Sequence, residues 1–358
     1  MPYRIFAYIS PRALGDTVLL SMFASSVVEL FDDGELVVYY RDDRPYKSMI
    51  VSCIRNAKLV LKPSDAMPTL PVELFDWASG GLKMPPGLDT PDVRSPNLIL
   101  SQTVFREGML TSLPLMPLAP PPETIDSSDQ GLIDLGLDPE RWIATVYWKE
   151  PGYSFRPKPK PGRDITNPEP YIAAVRHIVE NLGGQVVRLG HATSTELPKM
   201  PGLVDLAKVP NSEWLQLYAV WISRFMLSSN SGPVSYGPAF NVPTVVTDQL
   251  TPLAVYRPHD YIVTQKFTVD GKLYQGLDAL DRGLLLRYGA EIEQAIMNTA
   301  EDLTAAVDEM YASTANCIGW RGHAEPQPPA ERPNKLTMPL PIVIRRELLI
   351  PPSQRTKI

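Results

Sequence analysis

The sequence predicts an α/β chain with two parallel-sheet domains. Three observations predict it. Short β-prone apolar runs alternate with helical periodicity over residues 4–61, and the alternation returns over 141–312. Strand-like runs such as RIFAYI and SRFML lead into glycine-containing turns and then into helical patterns. Between the two alternating stretches, residues 62–130 hold many prolines and no sustained period.

Each element follows in order. Residues 4–9 (RIFAYI) read as a first strand, 10–16 as a turn, and 17–31 as a helix with Val18, Leu19, Met22, Phe23, Val27 and Leu30 on one broad face. Asp32-Asp33-Gly34 marks a turn before a second strand at 35–40, a helix at 46–56 and a third strand at 58–61. Strand–helix–strand units of this length require parallel pairing. Within 62–130 the one good strand candidate is 97–100, and 120–130 reads as a linker or surface segment. The second alternating stretch predicts strands at 141–147, 185–189, 203–205, 223–227 and 244–247. It predicts helices at 170–181, closed by Gly183-Gly184, and at 212–219, 233–240, 290–297 and 301–312. Two Rossmann-like halves facing a central cleft, joined near 120–140, make a GT-B architecture. Ligands then meet the carboxyl ends of the strands, at loops 10–16, 148–163, 189–193 and 228–233.

Composition narrows the function classes. The chain has 358 residues, enough for two domains, and a net charge of −6. That acidic balance argues against nucleic acid as the main partner, while a few local arginines can still hold an anionic small ligand. Two cysteines, Cys53 and Cys317, are too few for a disulfide scaffold or a cysteine-based metal cluster. The four histidines show no metal-ligand spacing, so no metal and no cofactor is expected. No apolar run approaches the roughly 20 residues of a membrane span, and the first ten residues lack signal-peptide character. The expected location is cytoplasmic, with peripheral membrane contact open through the apolar loop 110–121. Proline, 38 residues, is about twice its usual share of roughly 5%.

Four features can carry chemistry. In the first, a strand runs into Ser228, Ser229, Asn230, Ser231 and Gly232, then Pro233 and Ser235. Free amides at a helix start, with hydroxyl donors beside them, suit a phosphate; a capped helix start is the alternative. The second is cationic: Lys149, Arg156, Lys158, Lys160 and Arg163 crowd one loop, and Arg188 ends the next strand before Gly190 and His191. Arginine's fork suits phosphate oxygens, and a solvated charge run is the alternative for the lysines. The third is Gly15-Asp16, with Arg12 just before it. Asp16 is either a general base on a hydroxyl or an N-cap. The fourth comprises His191, which can bond a base, ribose or phosphate or serve structurally, and Tyr153 and Trp148, which can stack on a ligand or fill core. Walker A, Gly-x-Gly-x-x-Gly, Gly-x-Ser-x-Gly and Asp-x-Asp patterns are all absent, which disfavours nucleotide hydrolysis of the P-loop type, simple NAD binding and a serine-hydrolase elbow.

These segments together resemble a family. KEPGY at 149–153, Arg163 leading to PYIAAVRHIVENLGG, VVRLG at 186–190, SRFMLSSNSGPVSYGPAFNVPTVVT at 223–247 and NTAEDL at 298–303 are similar to bacterial GT-B glycosyltransferases of surface-polysaccharide clusters. The opening at 4–31 looks like that of heptosyltransferases. The resemblance implies a sugar-nucleotide donor, bound without a metal in a site lined by Arg163, Arg188, Gly190, Ser229, Ser231, Gly232 and Ser235; Lys149, Tyr153, His191 and Asn230 are added as donor-side candidates on the residue reading above. Asp16 is the candidate base if the transfer inverts and structural if it retains, and Arg12 and Gly15 are placed on the side of a small-molecule or glycan acceptor. It implies an N-terminal acceptor domain over 1–135, a donor domain over 136–320, and a proline-rich tail, 321–358, packing back on the first domain. Lys149 stands where that family has arginine, and Asn230 where it has serine. Other GT-B chemistries (epimerase, hydrolase, phosphorylase), a non-catalytic sugar-nucleotide binder and a nucleotide-free scaffold are the alternatives.

Overall fold

The computed structural model of the chain describes residues 3–9, 13–29, 31–40, 44–61, 75–76, 81–82, 98–100, 116–151, 162–249, 260–275 and 292–315. Arg12, Tyr153, Arg156, Lys158, Lys160, the tail 321–358 and the loop 110–115 lie outside the described residues. One compact unit holds the described residues up to Pro121, and a second holds those from Pro122 onward.

The first unit starts with β1 (Tyr3–Ile9), α1 (Leu14–Val28), β2 (Gly34–Tyr40), α2 (Pro45–Ser52) and β3 (Ala57–Leu61). Two-residue strands β4 (Phe75–Asp76) and β5 (Gly81–Leu82) pair antiparallel, and β6 (Leu98–Leu100) joins the main sheet. That sheet is parallel, in the order β3-β2-β1-β6. α1 begins three residues earlier than its apolar face suggests and is buried nearly all round, not on one face. Its polar residues tolerate this because Thr17, Ser21 and Ser26 hydroxyls donate to carbonyls one turn back, at 2.8–3.0 Å. The chain leaves α1 through a tight turn. A Cβ at Gly34 would sit 2.6 Å from the Val28 carbonyl oxygen, so only glycine fits.

The second unit holds α3 (Pro122–Asp134), β7 (Ile143–Tyr147), α4 (Glu169–Arg176, continued by a π turn, His177–Asn181), β8 (Gln185–Arg188) and β9 (Leu203–Asp205). There follow α5 (Glu213–Trp221), β10 (Phe225–Ser229), a 3-10 turn (Gly232–Ser235) running into α6 (Tyr236–Ala239), β11 (Thr244–Gln249) and β12 (Tyr261–Thr264). Its main sheet is parallel throughout, in the order β12-β11-β10-β7-β8-β9. Counted within the unit this is 6-5-4-1-2-3, the doubly wound order whose switch point lies between the first and fourth strands, β7 and β10. Every residue of β7, β8, β10 and β11 is buried, as parallel strands covered on both faces require. On one face Ala144, Val146, Phe225, Leu227 and Val245 pack with Tyr171 and Ile178 from the α4 region and with Leu303, Val307 and Met310 of α7 (Ala300–Ser313). Thr299 and Asp302 close the start of α7 in a capping box.

Three expectations change. The segment 120–130 lies mostly in helix α3, not in a linker. Its buried side includes Ser128 and Asp129, which accept hydrogen bonds from Trp214 Nε1 (2.9 Å) and Tyr218 Oη (2.6 Å) of α5. A helix that packs through polar pairs shows little apolar period. The expected helix at 290–297 is strand β15 (Gln294–Ile296), pairing antiparallel with β13 (Lys266–Val269), which also pairs with β14 (Lys272–Gln275). Tertiary pairing outweighs the helical propensity of that segment. β10 runs two residues further than 223–227, which carries Ser228 and Ser229 into the sheet and leaves the turn at Asn230 and Ser231.

Candidate functional site

Polar groups gather at the switch point of the second sheet. β7 continues into Trp148, Lys149 and Glu150, and β10 ends at Ser229. The Lys149 amide donates to Ser229 Oγ at 2.9 Å, and the Tyr147 hydroxyl lies 3.4 Å from Ser231 Oγ. Ser231 is the N-cap of the following 3-10 turn but makes no side-chain cap bond; its carbonyl accepts the Val234 amide at 3.1 Å. Capping therefore does not account for its hydroxyl. Asn230, Ser231 and Gly232 are partly exposed, whereas Ser229 and Ser235 are buried.

Lys149 and Asp164 form a buried ion pair, Nζ to Oδ1 at 2.6 Å. The Ile165 amide donates to the Lys149 carbonyl at 2.7 Å, so both ends of the loop after β7 are fastened to each other. Arg163 is half-buried beside this pair. Gln265 donates from Nε2 to the carbonyls of Gly162 (2.6 Å) and Asp248 (2.9 Å).

On the β8 side a second buried cluster forms around Glu150. Its Oε1 accepts from Trp148 Nε1 at 2.7 Å and Arg188 Nη2 at 2.6 Å. Its Oε2 accepts from the Thr195 amide at 2.6 Å and the Thr195 hydroxyl at 2.7 Å. Arg188 also donates to Asp205 Oδ2 at 3.0 Å and to the Thr195 carbonyl at 2.5 Å, with its guanidinium 4.3 Å from the Trp148 ring centroid. Burial pushes the Asp205 carboxyl above its ordinary value, and Arg188 opposes that push. The expectation that Arg188 meets a diphosphate changes here. It is 1% exposed and committed to protein acceptors, so it buttresses the strand ends. Trp148 likewise fills core.

Gly190 and His191 follow. Gly190 exchanges backbone bonds with the Gln216 side chain, 2.9 Å from its amide and 3.1 Å to its carbonyl. A Cβ there would come within 2.8 Å of Ala207 Cβ, so this glycine answers a packing need. His191 is exposed, with a ring nitrogen 3.1 Å from Thr193 Oγ1.

Behind the switch point lies a cluster that sequence reasoning missed. Tyr171 Oη donates to Asp248 Oδ2 at 2.6 Å and lies 2.5 Å from Thr247 Oγ1. Asp248 and Asn298 exchange bonds, each amide to the other's side-chain oxygen, at 2.7 and 2.8 Å. Asp248 has φ of 52°, at a register shift in β11. Burial raises its carboxyl, against lowering bonds from Tyr171 and Asn298; burial, then the Asp248 charge, drives the Tyr171 hydroxyl well above its ordinary value.

In the first unit, the residue flanking α1 at its start is Ala13. Asp16 is therefore the third residue of the helix and not its N-cap, as the alternative reading had it. It is partly exposed, with Gly15 just before it. A carboxylate in a first turn is favoured there by the helix dipole.

No family model matches the chain, and no curated protein matches its sequence. Among solved structures it is similar to a glycosyl transferase family 9 protein from Veillonella parvula DSM 2008, with 11% identity and a TM-score of 0.54 over 87% of this chain and 98% of that one. It is also similar to E. coli ADP-heptose lps heptosyltransferase II, with 12% identity and a TM-score of 0.47 over 86% and 98%. A third is a UDP-N-acetylglucosamine 2-epimerase assignment from Listeria monocytogenes, with 9% identity and a TM-score of 0.41 over 91% and 93%. At these identities the likeness is one of fold. It bears out the α/β, GT-B class expected from the sequence. Among the described residues, no helix is long and apolar enough to cross a membrane.

Proposed function

We propose that the chain is a glycosyltransferase that moves a sugar from a nucleotide-diphosphate donor to an acceptor hydroxyl, without a metal. The observation that carries this reading is the placement of the 229–232 turn against the end of β7, at the switch point of a doubly wound sheet. The fold shared with a glycosyl transferase family 9 protein supports it. The second unit takes the donor. Asn230, Ser231 and the Gly232 amide, with Arg163, face the diphosphate, and Arg188 and Lys149, each buried against carboxylates, stand behind them as buttresses. His191 meets the nucleoside.

Asp16 is the base. It accepts the acceptor hydroxyl's proton as that oxygen attacks the anomeric carbon. The bond from that carbon to the diphosphate oxygen breaks, and its electron pair leaves with the nucleoside diphosphate. The transition state has oxocarbenium character, and the donors at 230–232 stabilise the departing charge. Direct displacement inverts the sugar's configuration. The surface-polysaccharide setting, a glycan acceptor and a cytoplasmic location belong to the same proposal.

Calorimetric titration of the full chain with nucleoside diphosphates, with magnesium or with EDTA, tests the donor site. A selective, magnesium-independent affinity is the expected result, and no binding of any nucleotide overturns the reading. Asp16→Asn then lowers turnover by about 10²–10⁴-fold, measured as nucleoside diphosphate release, with donor affinity unchanged. An equal loss of donor affinity would remove Asp16 from the role of base.

A further inference from the structure

The loop 190–196 is pinned far more firmly than an exposed connection needs to be. The Thr195 amide and hydroxyl are held by Glu150 Oε2, and the Thr195 carbonyl by Arg188. Lys208 Nζ donates to the carbonyls of Ala192 (3.0 Å) and Ser194. The Ser194 amide closes a turn on the His191 carbonyl at 2.8 Å, and Gln216 holds Gly190. The residues this scaffold presents outward include the polar His191 and Thr193, beside Ala192, Thr195 and Glu196.

The loop leaves β8, on the opposite side of β7 from the 229–232 turn. Neighbouring strands lie about 4.8 Å apart, so β8 and β9 stand roughly 5 and 10 Å from β7. A ligand whose phosphates sit between β7 and β10 can extend its remaining part over this wall. Glu150 joins three of the pieces: the end of β7 through Trp148, the end of β8 through Arg188, and the loop through Thr195, while Arg188 adds a bond to the Thr195 carbonyl and lies over the Trp148 ring.

We propose that Glu150 is the positioning residue for nucleoside selectivity: its carboxylate fastens the 190–196 loop to the end of β7 and fixes His191 and Thr193 as the wall against which the base and ribose are read. The proposal rests on the donor-site reading above. Glu150 touches no ligand in it. With an amide in place of the carboxylate, one oxygen can still accept while the other position becomes a donor facing the Thr195 amide or the Arg188 guanidinium. The loop then loses its fixed pose, but the phosphate turn does not.

The test is calorimetric titration of wild type and Glu150→Gln, as full chains, with ADP, UDP, GDP, CDP and inorganic pyrophosphate, beside thermal melts. Glu150→Gln is expected to keep pyrophosphate affinity within twofold while the ratio between the best and second-best nucleotide falls at least fivefold. Loss of pyrophosphate and every nucleotide by one common factor, or an unchanged ratio, overturns the positioning role. Should Glu150→Gln fail to fold, Thr195→Val, which removes one of the two bonds to Oε2, lowers the same ratio by a smaller factor; an unchanged ratio there overturns the role equally. If wild type binds pyrophosphate and no nucleoside diphosphate selectively, the wall is absent and the inference falls while phosphate binding stands. If wild type binds none of the five, the donor-site reading falls first and the inference with it.

Discussion

The two flanks of β7 treat charge in opposite ways. Toward β8 and β9, Arg188, Glu150 and Asp205 are buried or nearly so, and one guanidinium is shared by both carboxylates. Toward β10, the strand end carries serines, an asparagine and a glycine, and its turn is partly exposed. Both flanks sit at carboxyl ends of parallel strands, where a doubly wound fold binds ligands. The difference teaches that a cation at a strand end is not by itself a ligand-binding group. Buried among carboxylates, it builds the wall, and the neutral donors next door are left to meet the ligand.

The largest effect should come from breaking the charged flank. Arg188→Met leaves Glu150 and Asp205 as buried carboxylates without their shared cation. Removing one partner of a buried pair destabilises by about 3–5 kcal/mol, and the lower end applies because Asp205 keeps some contact with water. Urea unfolding at pH 7 measures the loss. If Arg188→Met unfolds like wild type but loses nucleotide affinity, the comparison is wrong and Arg188 belongs with the ligand groups.

The neutral flank should show the reverse. Ser231→Ala removes one partly exposed hydroxyl and one contact of 3.4 Å to Tyr147. Stability should stay within about 0.5 kcal/mol, as for surface changes away from special features. Pyrophosphate affinity should fall by about 1 kcal/mol, roughly fivefold, the usual worth of a hydrogen bond. A drop in stability with no change in pyrophosphate binding would make the two flanks alike.

This contrast marks where reading the sequence stops. Most strands of the two parallel sheets are legible because they are apolar and short: 203–205 is matched end to end and the other expected strands to within about two residues, whereas β12, β13 and β14 are not anticipated. The switch-point loops are legible because polar residues follow those strands. What escapes is pairing. Lys149 and Arg163 read as members of one cationic loop, and Glu150 and Asp164 draw no role, yet the fold joins Lys149 to Asp164 and sends Glu150 to Arg188. Adjacent opposite charges directly after a strand were the one available sign. α3 escapes because it packs through Ser128 and Asp129, and β15 because its partner β13 lies 26 residues back in sequence and gives no local signal.

The last effect, one of slope and not of size, lies behind both flanks, at Asp248, which sharpens the comparison because it is a buried carboxylate with no cation among its named partners. It is held by the Tyr171 hydroxyl and the Asn298 amide, with Asp302 adding a like charge. Its carboxyl is raised above 3.8, chiefly by burial. Between 3.8 and the raised folded value, the folded state holds a proton that the unfolded state has released. Stability from this group is therefore greatest in acid and declines as pH rises through that window, by at most about 1.4 kcal/mol per pH unit. Asp248→Asn removes the titration but costs the Asn298 amide its carboxylate acceptor, a constant offset. Relative to wild type, the variant should gain stability as pH rises through the window and level off above it. Urea midpoints of both proteins from pH 4.5 to 7.5 measure this. A difference that does not change with pH would mean that the two hydrogen bonds, and not burial, set the carboxyl's protonation, and Asp248 would then join the compensated charges on the β8 side.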